Sequence, residues 1–193
     1  MSTDYSTFSL AEVAADFAAI ARDAQSGFGD LGEQQLNWRP DARRWSVAQC
    51  FDHLLRTNRE MFQAMDAAAS GSKPLTIWQR LPVLPGLFGA MLVKSQAPEA
   101  RRKFTAPRKG EPASSAIDRK IIGRFAAYQG EAAGRVRALE GRDAARIIMV
   151  SPFVSFLTYS VLDGCRLIAT HQRRHFEQAR RVRQETGFPQ RAQ

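Results

Sequence analysis

The amino-acid sequence predicts an all-α protein, a four-helix bundle with a long helical or irregular insertion between the second and third helices. Apolar residues recur at helical spacing in four segments, and two of these segments open with a capping box. No segment shows the alternation that is typical of a β-strand. The chain has 193 residues, of which 44% are hydrophobic, and this composition suits a single domain spanning residues 1–193.

The first helix is predicted over residues 9–27. Ser9 and Glu12 match a capping box, in which the side chain of each residue bonds the backbone N–H of the other. The apolar residues that recur at helical spacing are Leu10, Val13, Phe17 and Ile20. A connector follows, with a turn signal at Arg39-Pro40-Asp41.

The second helix is predicted over residues 46–70. Ser46 and Gln49 repeat the capping-box pattern at its start. Its apolar stripe consists of Val47, Phe51, Leu54, Met61 and Met65. Gly71 follows the last of these turns and indicates the end of the helix.

Residues 71–112 form an insertion that contains six prolines. Apolar residues inside it still have roughly helical spacing: Trp78, Leu81, Leu84, Phe88, Met91 and Leu92. We therefore predict a short helix, interrupted by proline, within a long connection. Connections of this length often form lids or contact surfaces, and so many apolar side chains are costly to leave in water. The insertion is predicted to be a lid or a dimer surface.

The third helix is predicted over residues 115–140, and its buried side consists of Ile117, Ile121, Phe125, Tyr128 and Val136. The fourth is predicted over residues 157–186, because Gly187 followed by Phe188-Pro189 is a stop signal. Four long helices with one long crossover are typical of a bundle, so we expect no sheet.

The net charge of +9 is spread over all the predicted helices. Because no coherent basic face or DNA-reading element is visible, the charge indicates a solvated surface and no nucleic-acid partner. The longest uncharged run, Ile147–Leu162, is interrupted by Pro152 and is shorter than the roughly 20 residues of a membrane helix. Without a signal peptide, the sequence predicts a cytoplasmic protein with no membrane partner.

The chain has three histidines. His171 and His175 are four residues apart and so lie on one face of the fourth helix. This spacing alone favours two solvated surface histidines. The helical wheel instead gives them apolar neighbours and directs Arg173 away. A buried histidine needs a partner, which a metal ion would supply.

His53 lies at the edge of the apolar stripe of the second helix. Hydrogen bonding to Thr57 or Gln49 would satisfy it without a metal. No carboxylate is placed as a general base, because Glu60 is about 10 Å along the helix from His53. Glu177 lies well around the fourth helix from its histidines. No catalytic residue is predicted, and the two cysteines, Cys50 and Cys165, are interpreted as small core residues.

Two blocks of the chain resemble the DinB-like superfamily, which includes DinB, YfiT and thiol-dependent transferases. The first is LNWRPDARRWSVAQCFDHL, residues Leu36–Leu54, with a proline turn, a tryptophan–serine helix start and a histidine–leucine pair. The second, Ser151–Gln178, has an arginine–histidine step inside HxxxH and a glutamine three residues later. Together the blocks cover about a quarter of the chain.

This resemblance implies an up-down-down-up bundle, often dimeric, with a metal ion at one end of the core. It makes His53, His171 and His175 the first, second and third ligands. Ser151 stands where many relatives have a further histidine, and it is not taken as a ligand. The insertion at 71–112 is poorly matched, so substrate specificity is expected to lie there.

Three histidines leave coordination positions open, which is typical of a catalytic metal site. Histidine suits zinc, nickel, iron or copper, and zinc or nickel is expected here. The side chains of Gln49, Thr57 and Gln178 are predicted to orient the imidazoles. The resemblance implies transfer or isomerisation of a small molecule with a low-molecular-weight thiol. The alternatives are a hydrolase that activates water, a non-enzymatic metal- or ligand-binding module, and a metal-free helical protein.

Overall fold

The computed structural model describes residues 3–72, 75–76, 79, 83–96, 110–113 and 116–190, with the side chains of 83–88 excepted. These residues form a short 3-10 turn, six helices and two strands: Tyr5–Thr7, α1 Leu10–Phe28, α2 Glu33–Asn37, α3 Val47–Ala69, α4 Val83–Ser95, α5 Ile121–Arg137, β1 Ile148–Val150, β2 Thr158–Ser160 and α6 Val161–Arg183. None of the described helices is both long and apolar enough to cross a membrane.

Helices α1 and α3 begin where their capping boxes predict. The Ser9 side chain accepts the backbone N–H of Glu12, whose carboxylate accepts the N–H of Ser9 at 2.7 Å. Ser46 and Gln49 make the same pair of bonds at the start of α3. Both boxes satisfy N–H groups that have no partner within the helix, and both predictions are confirmed.

Helix α5 begins at Ile121, later than the predicted start at residue 115, which itself lies outside the described residues. The backbone of Ile117 is bonded to α2 instead. Its N–H donates to the side chain of Asn37 at 2.8 Å, and its carbonyl accepts the Asn37 amide at 2.9 Å. These two bonds hold Ile117 outside the helix, although its side chain is buried as predicted. The start of α5 therefore depends on a contact distant in sequence.

The expectation of a structure without a sheet is wrong. Strands β1 and β2 pair antiparallel, with Met149 opposite Tyr159. Both of these side chains are fully buried, and the Ser151 N–H closes the loop by donating to the Leu157 carbonyl at 2.8 Å. Three-residue strands inside one apolar run are too short to show a period of two. Because the second strand leads into α6, that helix begins at Val161 rather than at residue 157.

One aromatic layer joins all four long helices. The ring of Phe51 on α3 lies 5.2 Å from Phe28 on α1, 5.0 Å from Phe125 on α5 and 5.3 Å from Phe176 on α6. Each of the four rings is at most 1% exposed. Rings packed edge to face in this way are among the strongest contributors to a helical core. The four long helices therefore share a single core.

Helix α4 is the short helix predicted within the insertion. It packs on β2 and α6, and the Arg174 guanidinium donates to the Ser95 carbonyl at its end. Met91 is 53% exposed on its outer side. Trp78 and Leu81, which belong to the predicted apolar stripe of the insertion, lie outside the described residues, as do the side chains of Leu84 and Phe88. The prediction of a lid or dimer surface stays a prediction.

Candidate metal centre

The three histidines meet between α3 and α6. The ring centroid of His53 lies 5.0 Å from that of His171 and 4.5 Å from that of His175. The rings of His171 and His175 are 4.6 Å apart. One ring nitrogen from each lies within 4.8 Å of the others. The structure thus brings together three residues that the sequence separates by up to 122 positions, counted from His53 to His175.

The orientation of α6 is held by an arginine between the two histidines. Arg173 points away from them and makes ion pairs with Asp16 and Asp23 on α1. The Asp16 carboxylate is only 12% exposed, so water screens this pair weakly. Because Arg173 is tied to α1, the opposite face of α6 turns His171 and His175 towards α3.

His53 is set to present one particular nitrogen to the cluster. It is 2% exposed, and its Nδ1–H donates to the carbonyl oxygen of Gly110. A carbonyl only accepts, so the proton is on Nδ1 and the Nε2 lone pair is free. That Nε2 lies 3.2 Å from the Nε2 of His171. Two imidazole nitrogens on a tetrahedral zinc ion are about 3.4 Å apart, so these two are close to the spacing required.

His175 carries an unsatisfied atom. Its Nδ1 is shielded from solvent and has no hydrogen-bond partner in the described structure. A buried polar atom without a partner is destabilising, and a metal ion would supply the missing interaction. The unpartnered nitrogen, the nearby pair of Nε2 atoms and an all-imidazole donor set fit a divalent ion of the zinc or nickel type.

Burial keeps all three imidazoles neutral. Burial, with the charges of His53 and Arg174, lowers the pKa of His171 to about 3. Burial also puts the pKa of His175 well below its ordinary range. The pKa of His53 is lowered by burial, and the bond to Gly110 opposes that shift. Neutral imidazole is the form that binds metal, so at neutral pH no proton competes for these nitrogens.

Trp45 forms a wall of the cluster. Its ring stacks on His175 at 5.7 Å with an interplanar angle of 19°, and it lies 4.8 Å from the ring of His53. Trp45 directly precedes the N-cap residue of α3. Its position just before the helix start was visible in the sequence, whereas its contact with a histidine of α6 was not.

Gly110 also belongs to the site, and sequence reasoning missed it. A Cβ atom at this position would lie 2.9 Å from Cγ2 of Thr57 and 3.3 Å from Cε1 of His53. The residue is buried against α3. In the sequence it is one glycine in a stretch rich in charge and proline, 57 positions from its partner His53, and nothing in its neighbourhood signals this contact.

The three residues predicted to orient the imidazoles have different roles. Thr57 donates its hydroxyl to the backbone carbonyl of His53 at 2.9 Å, not to the ring. Gln49 donates its amide to the carbonyl of Ala113 at 3.0 Å. Gln178 lies beside His175, where its side chain favours the protonated ring. The role of Gln178 in orienting an imidazole stays a prediction, whereas Thr57 and Gln49 bond to backbone carbonyls beside the site.

No carboxylate joins the histidine cluster within the described residues. Asp52 is the neighbour of His53 in sequence, and its carboxylate accepts bonds from Arg56 and from the backbone of Ala113. Glu177 is paired with Arg180 on the outside of α6. The cluster therefore contributes no negative charge that would neutralise a bound cation.

Both cysteines are buried and free, as predicted. Burial raises the pKa of Cys50 and of Cys165 to about 12. A thiol with such a pKa is not a nucleophile at neutral pH. The prediction that they are small core residues is confirmed.

Comparison with known families gives a match over most of the chain. A family model described as the DinB superfamily matches residues 16–179, a range that contains all three histidines. No curated protein and no solved structure matches the chain.

Proposed function

Because the chain belongs to the DinB superfamily, we propose that it holds a divalent metal ion with His53, His171 and His175 and uses it in chemistry on a small molecule. The observation that carries the proposal is the neutral imidazole cluster, with one nitrogen of each ring within 4.8 Å of the others. Three protein ligands leave room for a further ligand, as catalytic zinc sites do. Zinc or nickel suits the donor set best.

The charge of the site favours an anionic substrate atom. Since the described residues put three neutral imidazoles and no carboxylate in the cluster, a bound dication would keep its full double charge. When bound, such an ion lowers the pKa of a coordinated thiol or water. A thiolate is the softer of the two resulting anions and suits a zinc-like ion.

The absence of a carboxylate from the described cluster bears on the choice between hydrolysis and thiol transfer. An ion held by three histidines can lower the pKa of bound water to about 7, but the described cluster has no carboxylate to act as a further base in hydrolysis. A thiol loses its proton more readily, because its ordinary pKa is about 8.5. Cys50 and Cys165 are buried and cannot be that thiol. We therefore propose a thiol-dependent S-transferase or isomerase that uses a low-molecular-weight thiol. The alternatives are a water-activating hydrolase and a non-enzymatic binding module.

We also propose the up-down-down-up arrangement of the helices. Its support is the order of side-chain contacts along α3. Phe28 near the end of α1 contacts Phe51 near the start of α3, and Phe17 contacts Phe62 further along. Cys165 near the start of α6 lies 4.0 Å from Met65 near the end of α3. These contacts favour α1 and α6 running opposite to α3.

The proposal extends to the oligomeric state, the location and the insertion. We propose a homodimer that acts in the cytoplasm, with residues 71–112 as a lid over the site or as the dimer surface. The contact between Gly110 and His53 supports a place beside the metal centre for this insertion. We propose no nucleic-acid or membrane partner, since arginines such as Arg135 and Arg173 are engaged in ion pairs within the protein.

The test is a titration of zinc and of nickel into chelator-treated protein. The parent should bind one ion, and His53→Ala, His171→Ala and His175→Ala should each bind at least about 100-fold more weakly, because each loses a ligand. Asp66→Ala, which alters an exposed ion pair on α3, is the matched control. If all three histidine variants bind as tightly as the parent, the histidines are not the site and the proposal is wrong.

A second measurement addresses the thiol. Cobalt(II)-loaded protein should change its visible absorbance when glutathione is added, and His171→Ala should not. A parent that binds cobalt but shows no change with glutathione, cysteine or 2-mercaptoethanol would favour the hydrolase or the binding module instead.

A further inference from the structure

The end of the insertion is hydrogen-bonded to α3 next to the candidate metal centre. We name residues Gly110–Ala113 the docked segment. The N–H of Ala113 donates to the Asp52 carboxylate at 2.9 Å, and the Ala113 carbonyl accepts the Gln49 amide at 3.0 Å. At its other end, the Gly110 carbonyl accepts the Nδ1–H of His53. All three partners lie within five consecutive residues of α3.

One of these bonds acts on the metal centre itself. Because the Gly110 carbonyl holds the proton on Nδ1 of His53, the Nε2 lone pair is directed at the cluster, 3.2 Å from the Nε2 of His171. A hydrogen bond to the second nitrogen of a ligating imidazole fixes its tautomer and orientation and raises its basicity. If the docked segment moved away, His53 would be free to carry its proton on Nε2, where it blocks ligation.

Glycine is required for the segment to come this close. A Cβ at residue 110 would lie 2.9 Å from Cγ2 of Thr57 and 3.3 Å from Cε1 of His53. Gly110 does not have a positive φ, so alanine is compatible with the backbone itself. A side chain at residue 110 would therefore clash with Thr57 and His53. To avoid this clash, the segment would have to shift and move the Gly110 carbonyl away from the imidazole.

We propose that docking of the Gly110–Ala113 segment and metal binding by His53 are energetically coupled, with Gly110 as a positioning residue. This inference rests on the proposed metal site. By thermodynamic linkage, the docked segment raises metal affinity and the bound ion stabilises docking by the same factor. The expected size is 10- to 100-fold, as for other groups that orient a ligating imidazole. The insertion is thereby connected to the site whose substrate it is proposed to select.

The first test compares zinc affinities. Gly110→Ala should bind zinc about 10- to 100-fold more weakly than the parent. Gly134→Ala, where a Cβ meets nothing within 4 Å, is the control and should bind as the parent does. Thr57→Ser removes the nearest clashing methyl and keeps the hydroxyl, so adding it to Gly110→Ala should restore most of the affinity. A general loss of folding would not be rescued in this way.

A second variant avoids Gly110. Asp52→Ala removes the acceptor of the Ala113 N–H, although Asp52 is not a ligand, and should weaken zinc binding at least about 5-fold. Asp66→Ala is its control on the same helix. In the reverse direction, hydrogen exchange of the Ala113 amide in the parent should slow when zinc is added.

The tautomer of His53 in the metal-free protein tests the role of Gly110 independently of metal binding. Nitrogen-15 NMR of the metal-free parent should show His53 with its proton on Nδ1, and Gly110→Ala should show a mixture of tautomers. A parent that binds neither zinc nor nickel would overturn the proposed function and the coupling together. A parent that binds zinc, with Gly110→Ala binding equally well, would overturn the coupling alone, as would an Nε2–H tautomer in the parent.

Discussion

The Nε2 atoms of His53 and His171 face each other at 3.2 Å across the α3–α6 contact, 118 positions apart in the chain. The Nε2 of His53 carries no proton, so a neutral His171 with its proton on Nε2 donates a hydrogen bond to it. Burial makes protonation unfavourable, since it lowers the pKa of both rings. The pair is therefore neutral, and a His171 with its proton on Nδ1 would present both Nε2 lone pairs to one cation.

The pH dependence of the metal-free protein follows from these pKa values. In the unfolded chain each histidine titrates near 6.5, whereas in the folded state the pKa of His171 is about 3. Below pH 6.5 the unfolded chain binds more protons, so the free energy of unfolding should fall as the pH decreases. The slope approaches about 1.4 kcal/mol per pH unit for each such histidine once the pH is well below 6.5.

Urea denaturation of metal-free protein between pH 6.5 and 5 measures this slope. His171→Leu removes one titrating group and should have a slope smaller by about 1 kcal/mol per pH unit over this range, because the unfolded histidine is only half protonated at pH 6.5. Equal slopes for the parent and the variant would contradict a depressed pKa for His171.

Addition of metal should stabilise the protein. An ion that binds only the folded state at 100 times its dissociation constant adds about 2.7 kcal/mol. For a chain of this size that corresponds to a rise in Tm of about 5 to 10 °C. Thermal melts with zinc and with a chelator measure the difference. His175→Ala should melt at the same temperature under both conditions, and a rise as large as that of the parent would argue for a different site.

Trp45 should support the metal centre through its ring. Trp45→Phe keeps an aromatic face against His175 and should bind zinc within about 3-fold of the parent. Trp45→Ala removes the ring that packs on both His53 and His175 and should bind about 10-fold more weakly, as for other residues that orient ligands. Zinc titration of both variants tests this, with Trp38→Phe as the control. Equal zinc affinity of Trp45→Ala and the parent would show that the Trp45 ring does not support metal binding.

Arg173 should matter for stability more than other arginines of α6. Arg173→Ala breaks two ion pairs with α1 and leaves the largely buried Asp16 carboxylate without its partner, at a cost of about 1–3 kcal/mol. Arg180→Ala breaks only a surface pair with Glu177 and should cost less than about 0.5 kcal/mol. Chemical denaturation of the two variants provides the comparison. A similar small loss in both would show that Arg173 does not hold α6 in place.

Local signals were sufficient for several features of this protein. The starts of α1 and α3 depend on Ser9 and Ser46 with partners three residues away, and both appear where the capping boxes predict. The common face of His171 and His175 follows from helical geometry alone. Signals of this kind are readable in a sequence because all the interacting atoms belong to one or two turns of chain.

Other features were decided by contacts between distant parts of the chain. The start of α5 is displaced because Asn37 of α2 holds the backbone of Ile117. The two strands pair within a run whose apolar residues give no period. Gly110 shows this most plainly, because its importance arises from the space left by Thr57 and His53 once α3 and the docked segment are in contact. The sequence by itself determined the four long helices and which histidines can share a face, since these depend on neighbours along the chain, whereas the short α2 lies in a segment predicted to be a connector. The tautomer of His53 and the distance between the imidazoles were decided only by tertiary packing, which sets how closely separate segments approach.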